Sequence, residues 1–292
     1  MGNISAVKTP LLAMSRESMV WNKTGSWRYL RPGFQNKISP CFQGCPAGEN
    51  VEGWIKLLQN GKYREAYQLI REENPFPGIC GRVCFHPCEE SCNRGSFDRA
   101  VSINALERFV ADYVMESRIP VSAFALEQKS GRKVRVAIIG SGPAGLSAAY
   151  FLARLGYAVE IFEIWHKAGG ILRYGIPSYR LPKEVLDWEI EAIMASGIKL
   201  HTGKGLGVDF NLKELQSKFG VVFIATGLTK GRKLNIPGEN SVKVLSGMDF
   251  LRTVSLGEKI NLGDRVAVVG GGDTAIDSAR TLLRLGVHPI IV

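Results

Sequence analysis

Residues 134–163 impose the tightest constraint on the fold: an apolar run, a glycine-rich turn, a helical stretch and a second apolar run follow without interruption. VRVAIIG (134–140) and AVEIFE (158–163) have the length of strands and are largely apolar, as strands buried on both faces of a parallel sheet are. Between them LSAAYFLARLG (146–156) supplies the crossover helix that parallel strands need. The order returns in RVAVVGGGDTAIDSARTLLRLGVHPIIV (265–292). VLDWEIEAIMASG (185–197) and VVFIATG (221–227) add a helix and a strand between the two units. The expected fold class is α/β, built on two dinucleotide-type βαβ units. The second unit stops at its second strand, which leads us to expect a chain that continues past Val292.

The turns carry the chemistry. In Gly140-Ser141-Gly142-Pro143-Ala144-Gly145 the first glycine permits a sharp bend, the second lets backbone amides approach a pyrophosphate, and the third lets helix and strand pack closely. The helix start offers free N–H groups and partial positive charge to that pyrophosphate. Glu163 closes the next strand, where a carboxylate accepts hydrogen bonds from an adenosine ribose. Gly270-Gly271-Gly272-Asp273-Thr274-Ala275 is a second turn of the G-x-G-x-x-A type, with a packing turn as the competing reading. The acid that separates NAD from NADP would lie just after Val292. Asp277 reads as an exposed helix acid.

The amino-terminal part has another character. Residues 1–38 read as an extended arm with Trp21, Trp27, Tyr29 and Phe34 as anchors. Val51, Trp54, Ile55, Leu58 and then Tyr63, Ala66, Tyr67, Ile70 recur at helical spacing, with a break at Gly61. Residues 75–95 look loop-rich, 101–117 form an amphipathic helix, and 127–133 form a polar linker. All six cysteines fall here: Cys41, Cys45, Cys80, Cys84, Cys88 and Cys92, with none in the 200 residues that follow. A secreted disulfide scaffold would not carry so long a cysteine-free α/β segment. Structural zinc usually takes two separated CxxC-like knuckles, whereas these thiols are spaced by four and Cys45 precedes a proline, a pattern of iron–sulfur sites. A [4Fe–4S] cluster is the expected ligand, with zinc and plain buried thiols as the alternatives. A dithiol mechanism of the thioredoxin-reductase kind would need cysteines beyond Cys92.

The net charge is +10 over 292 residues, with six basic residues and one acidic residue in 1–48. No nucleic-acid motif accompanies this charge, so it implies attraction to acidic partners such as ferredoxins or acidic subunits. There is no apolar run long enough to span a membrane and no secretory signal, so a cytoplasmic protein is expected.

From about Thr24 onward the motifs TGSWRYLRP, CFQGCPAG, NPFPGICGRVCFHPCEESCNRG, INALERF, GSGPAG, GGILRYGIPSYRLP, IATG and VVGGGDTAID follow in order. In this the chain resembles the glutamate synthase small (β) subunit family, and also the N-terminal half of dihydropyrimidine dehydrogenase. After the arm (1–38), the resemblance implies a helical iron–sulfur domain (39–130), the first segment of an FAD domain (131–262) and the start of an NAD(P) domain (263–292). It implies one [4Fe–4S] cluster on Cys45, Cys84 and Cys88, with Glu107 as candidate fourth ligand against an ordinary surface acid. It leaves a second cluster open: Cys41 and Cys92 would serve it, Cys80 could stand in, and Gly33 and Asn36 occupy places where the family has cysteines. For FAD it adds Gly169, Gly170, Ile171, Leu172, Gly175 and Ile176 near the isoalloxazine and Val208 near the adenine. It also adds Ala225, Thr226 and Gly227 at the crossing into the NAD(P) domain. The function implied is electron transfer between NAD(P)H, FAD and iron–sulfur centres, to or from a partner redox subunit or ferredoxin in a hetero-oligomer. Hydride transfer to a flavin needs stacking more than acid–base residues, so no catalytic acid or base is assigned. A non-catalytic iron–sulfur docking subunit is the rival reading, and a zinc-braced flavoprotein a third.

Overall fold

In the computed structural model, residues 38–117, 119–124, 134–228, 231 and 233–292 are described. The expected arm and linker lie outside these residues, apart from Ile38.

Apolar periodicity yields helices where it was strongest. α1 (Pro40–Gly44) is followed by α2 (Val51–Gln59) and α3 (Tyr63–Ile70), which form a hairpin broken at Gly61, whose φ is +70°. The stretch 75–95, expected to be mostly loop, instead holds α4 (Pro77–Val83), α5 (Pro87–Glu90) and a 3-10 turn over Asn93–Ser96. Prolines open both helices: at the first helical position a proline loses no hydrogen bond and its fixed φ suits the helix. α6 (Ile103–Glu116) then lies across them. Its Val110 and Val114 share one core with Trp54, Tyr67 and Ile70, all five fully buried.

The remainder is a parallel α/β layer. β1 (Arg135–Ile139), β2 (Ala158–Glu163), β3 (Lys199–Thr202) and β4 (Val221–Ile224) form one sheet in the order β3-β2-β1-β4, every pair parallel. α7 (Pro143–Arg154) joins β1 to β2 and packs Leu146, Ala149, Tyr150 and Ala153 inward. The short α8 (Ile171–Tyr174) and the longer α9 (Lys183–Met194) follow β2, and α10 (Leu212–Lys218) precedes β4. α11 (Gly247–Ser255) leads into β5 (Arg265–Val268), α12 (Asp273–Arg284) and β6 (His288–Ile291), with β5 and β6 parallel in a second sheet. Phe250 and Leu251 of α11 share a core with Val268, Ala279 and Leu282.

The two βαβ units match in detail. Each strand ends on a glycine at strongly positive φ (Gly140, +102°; Gly270, +107°), and each helix is closed by another (Gly156, +86°; Gly286, +80°). Among the described residues no helix is long and apolar enough to cross a membrane.

α4 joins the two halves because it has almost no side-chain bulk on two faces. A Cβ at Gly81 would sit 2.7 Å from the Cα and N of Arg108 on α6, and one at Gly78 would sit 3.0 Å from Glu189 Oε1 and 3.1 Å from Val185 Cγ1 on α9. Because the Arg108 obstacle is backbone, Gly81→Ala is expected to cost about 1–3 kcal/mol. The shift would appear as a lower denaturation midpoint. Gly95→Ala, where the nearest heavy atom is 3.8 Å away, is expected to leave the midpoint near wild type.

Candidate functional site

The first glycine turn forms where β1, β2 and β4 end together. Gly140 donates to Phe162 O at 2.8 Å, and Ala225 N donates to Ile139 O at 2.8 Å. A Cβ on Gly140 would stand 2.4 Å from Ala225 O, and one on Gly145 1.9 Å from Gly140 O, so both positions are closed to side chains. Gly142 meets the second glycine motif: a Cβ on Gly170, whose φ is +50°, would fall 2.7 Å from Gly142 Cα. Gly169 N donates to Ser141 O at 2.9 Å. The chain thus brings Gly140, Ser141, Gly142, Gly145, Gly170 and Ala225 to one place. Pro143 and Ala144 are exposed at the start of α7.

Glu163 is buried beside them. One carboxylate oxygen accepts from Ser141 N (2.8 Å) and Ser141 Oγ (2.5 Å), and the other from Trp165 N (2.9 Å). A carboxylate has about four lone-pair sites, so acceptor capacity remains. Lys204 N donates to Glu163 O at 2.8 Å, which sets the following loop at the end of β2, and on that loop Val208 is 78 % exposed. Thr226 and Gly227 are exposed just after β4.

Leu172 is buried and Ile176 half-buried on the α8 loop, which side chains of α9 hold in shape. Lys183 Nζ donates to Leu172 O at 3.0 Å and Ile176 O at 2.6 Å. Arg173 bridges Ala168 O, at 2.5 Å, and the carboxylate of Asp187. Sequence reasoning missed Lys183, whose partners are backbone carbonyls that leave no pattern in the residues.

The second turn, Gly270 to Thr274, is exposed, and space is open around Gly271 and Gly272. Asp277, one turn into α12, is only 4 % exposed, contrary to its reading as an exposed helix acid. It accepts from Arg180 Nη1 at 2.6 Å, and Tyr179 OH donates to its backbone carbonyl at 3.2 Å. Arg284 stacks over the ring of Tyr179, 3.8 Å from its centroid. The GGILRYGIPSYRLP segment therefore grips the helix that opens at the second turn.

The thiols divide. Cys45 follows α1, Cys84 follows α4, and Cys88 is buried on α5. Burial, then the nearby sulfurs of Cys45 and Cys84, pushes the Cys88 thiol up to about 12. His86 adopts a left-handed φ of +46°, which aims its N–H at Cys84 Sγ, 3.2 Å away. Glu107 is buried on α6. Burial raises its carboxyl well above the usual range, and Glu49, Glu189 and Cys45 add to the rise. Asn74 Nδ2 donates to both Glu107 (3.0 Å) and Glu49 (2.8 Å), and neither Asn74 nor Glu49 was singled out by local periodicity.

Cys80 faces elsewhere on α4. Its Sγ lies 3.7 Å from Asn74 Oδ1, and burial followed by Glu107 and Glu189 raises its thiol. Cys41 Sγ donates to Ser39 Oγ at 3.3 Å. Cys92 is lowered by the backbone amide side of Val101, with Arg94 and Gly95 contributing less.

Among the described residues no three His, Cys, Asp or Glu side chains converge as they would on a single metal ion. An iron–sulfur cuboid presents separate irons at its corners, so its ligands stand apart. Three neighbouring thiols, a buried carboxyl and a backbone N–H aimed at sulfur suit such a group, whose positive irons would reverse the resistance of Cys88 to ionisation.

Residues 134–292 match the pyridine nucleotide-disulphide oxidoreductase family. The chain belongs to that family. Residues 34–119 match dihydropyrimidine dehydrogenase domain II, 4Fe-4S cluster. The NADP(+)-dependent formate dehydrogenase subunit beta of Moorella thermoacetica is 42 % identical over 273 residues, covering 86 % of this chain and 39 % of that protein. The NADPH-Fe(3+) oxidoreductase subunit beta of Geobacter sulfurreducens is 37 % identical over 256 residues, covering 86 % and 38 %. The glutamate synthase [NADPH] small chain of Bacillus subtilis is 38 % identical over 278 residues, covering 86 % and 54 %. The expected resemblance to glutamate synthase small subunits is thus borne out, and the chain spans about half or less of these relatives' length. The matched domains are those of FAD, NAD(P)H and a [4Fe–4S] cluster.

Lys183 gives this site a pH signature. Burial, with repulsion from Arg173, lowers its ammonium from 10.5 to about 8. Between those values the unfolded chain binds more protons than the folded one, so stability rises with pH across that window. In Lys183→Met this contribution to the rise is expected to vanish, as measured by denaturant midpoints of wild type and variant across the same window.

Proposed function

We propose that this chain is the FAD, NAD(P)H and iron–sulfur portion of an electron-transfer oxidoreductase. It would act as a cytoplasmic subunit that exchanges electrons with a partner iron–sulfur protein or subunit, as a glutamate synthase small-subunit-like protein does. One observation carries the reading: the thiol-bearing helix α4 packs directly on α9, which also holds the loop of the second glycine motif against the first.

In this reading the amides from Gly140 to Gly145 and the start of α7 receive the FAD pyrophosphate. Glu163 accepts from the ribose with its remaining lone pairs, while Ser141 and Trp165 fix its orientation. Gly170, Leu172 and Ile176 border the isoalloxazine, Ala225 to Gly227 its approach from the nucleotide side, and Val208 the adenine. Gly270, Gly271, Gly272, Asp273 and Thr274 take the NAD(P)H pyrophosphate. Cys45, Cys84, Cys88 and Glu107 ligate the [4Fe–4S] cluster, and Cys41, Cys80 and Cys92 are the thiols available to another. When bound, FAD accepts hydride and releases electrons singly, and the iron–sulfur group relays them one at a time. The chain itself orients these groups, excludes water around Glu163 and Ser141, and directs an N–H at Cys84 Sγ, a contact that tunes potential.

Full-length protein purified without oxygen is expected to contain FAD, iron and acid-labile sulfide in stoichiometric amounts. NADPH or NADH should bleach the flavin band anaerobically. Zinc in place of iron, or a flavin that neither nucleotide reduces, would reject the proposal.

A further inference from the structure

α9 has two working stripes. Lys183, Leu186 and Asp187 lie at i, i+3 and i+4 and face the α8 loop, while Val185, Glu189 and Ala192 lie at i, i+4 and i+7 and face the helical domain. On the first stripe, Lys183 holds Leu172 O and Ile176 O, Asp187 pairs with Arg173, and a Cβ on Gly169 would come within 3.1 Å of Leu186 Cδ2. On the second, Glu189 is 1 % exposed and accepts the first free amides of α4, Gly78 N at 2.5 Å and Ile79 N at 3.3 Å. Ala192 O accepts from Arg71, a buried guanidinium that also bonds Phe124 O. Trp188 completes the contact in a ring cluster with Tyr67 and Phe124.

We propose that α9 is a rigid strut that sets the spacing between flavin and iron–sulfur cluster, with Glu189 as its positioning residue. The carboxyl group of Glu189 caps the helix that carries Cys80 and ends at Cys84. A displacement of α4 therefore moves the thiols relative to the loop at Leu172 and Ile176 on the other side of the same helix. The inference rests on the proposed placement of the two cofactors. NADPH is oxidised as hydride passes to the flavin, and each electron that leaves the flavin reduces the cluster by one. Glu189 governs the second step and not the first.

The test uses anaerobic, cofactor-replete full-length protein. Stopped-flow absorbance follows flavin reduction by NADPH, and rapid-freeze electron paramagnetic resonance follows cluster reduction. In Glu189→Leu, cluster reduction is expected to slow severalfold, because electron transfer weakens steeply as the two centres move apart, while flavin reduction stays near wild type. Glu189→Gln, which keeps an acceptor oxygen, should recover most of the loss. Hydrogen exchange supplies a readout independent of turnover: the amides of Gly78 and Ile79 lose protection in the leucine variant, and the Gly78 amide keeps it in the glutamine variant, whose one oxygen replaces Oε1. If the leucine variant does not fold, Glu189→Asp serves, and the ratio of the two rates is read in the same way. An unchanged ratio overturns the proposal, as does equal slowing of both steps. If wild-type flavin is not reduced at all, the underlying assignment of function fails instead.

Discussion

Everything in the helical half depends on how closely α4 can approach its neighbours. Gly78 and Gly81 remove side chains from two faces of a single short helix, so the backbone of α4 lies directly against α6 on one side and against Val185 and Glu189 of α9 on the other. Packed interiors leave no slack at such contacts, and a movement of one helix is transmitted to the next. The polar groups then lock the arrangement: Glu189 takes the first amides of α4, Asn104 Nδ2 reaches Cys80 O at 2.9 Å near its far end, and Arg82 ties Gly78 O to Asp112. Small residues allow the approach, and the hydrogen bonds fix its register.

The nucleotide-binding half shows the same economy by different means. Ser141, Glu163, Gly170 and Ala225 come from four separated stretches, yet the ends of adjacent parallel strands bring them together, as ligand sites in open α/β sheets are brought together. The second unit repeats the backbone of the first at Gly270 and Gly286 but is joined to the rest through Arg180, Asp277 and the stacked pair of Tyr179 and Arg284. The segment running from Gly169 to Pro182 thus serves both nucleotide turns, one at each end.

Periodicity made most of this fold readable. The strands at 134–140 and 158–163, the helix between them and the break at Gly61 are local consequences of apolar spacing and of glycine's freedom at positive φ. The misreadings share a cause. Residues 75–95 hold enough proline and glycine to look like loop, but Pro77 and Pro87 stand at helix starts, where proline favours helix. Asp277 looked like a surface acid because its partner, Arg180, lies far away in the sequence. Glu49, Asn74, Lys183 and Glu189 were invisible for the same reason: their roles are set by contacts between distant elements. Cys80, Cys84, Cys88 and Cys92 are equally spaced in the sequence, yet the end of α4 at Val83 turns Cys84 toward Cys88 and leaves Cys80 among Asn74, Glu107 and Glu189.

Cys45, Cys84 and Cys88 come from three separate helix ends, and packing alone gathers them in the polypeptide. A rigid inorganic core gripped by all three would close the intervening loops as a disulfide does, and the entropy taken from the unfolded chain grows with loop length. A group that binds only the folded form also stabilises it by mass action. Iron supply and the integrity of the helical half would then be linked thermodynamically, so that cells short of iron would carry this protein in a looser and more readily proteolysed form.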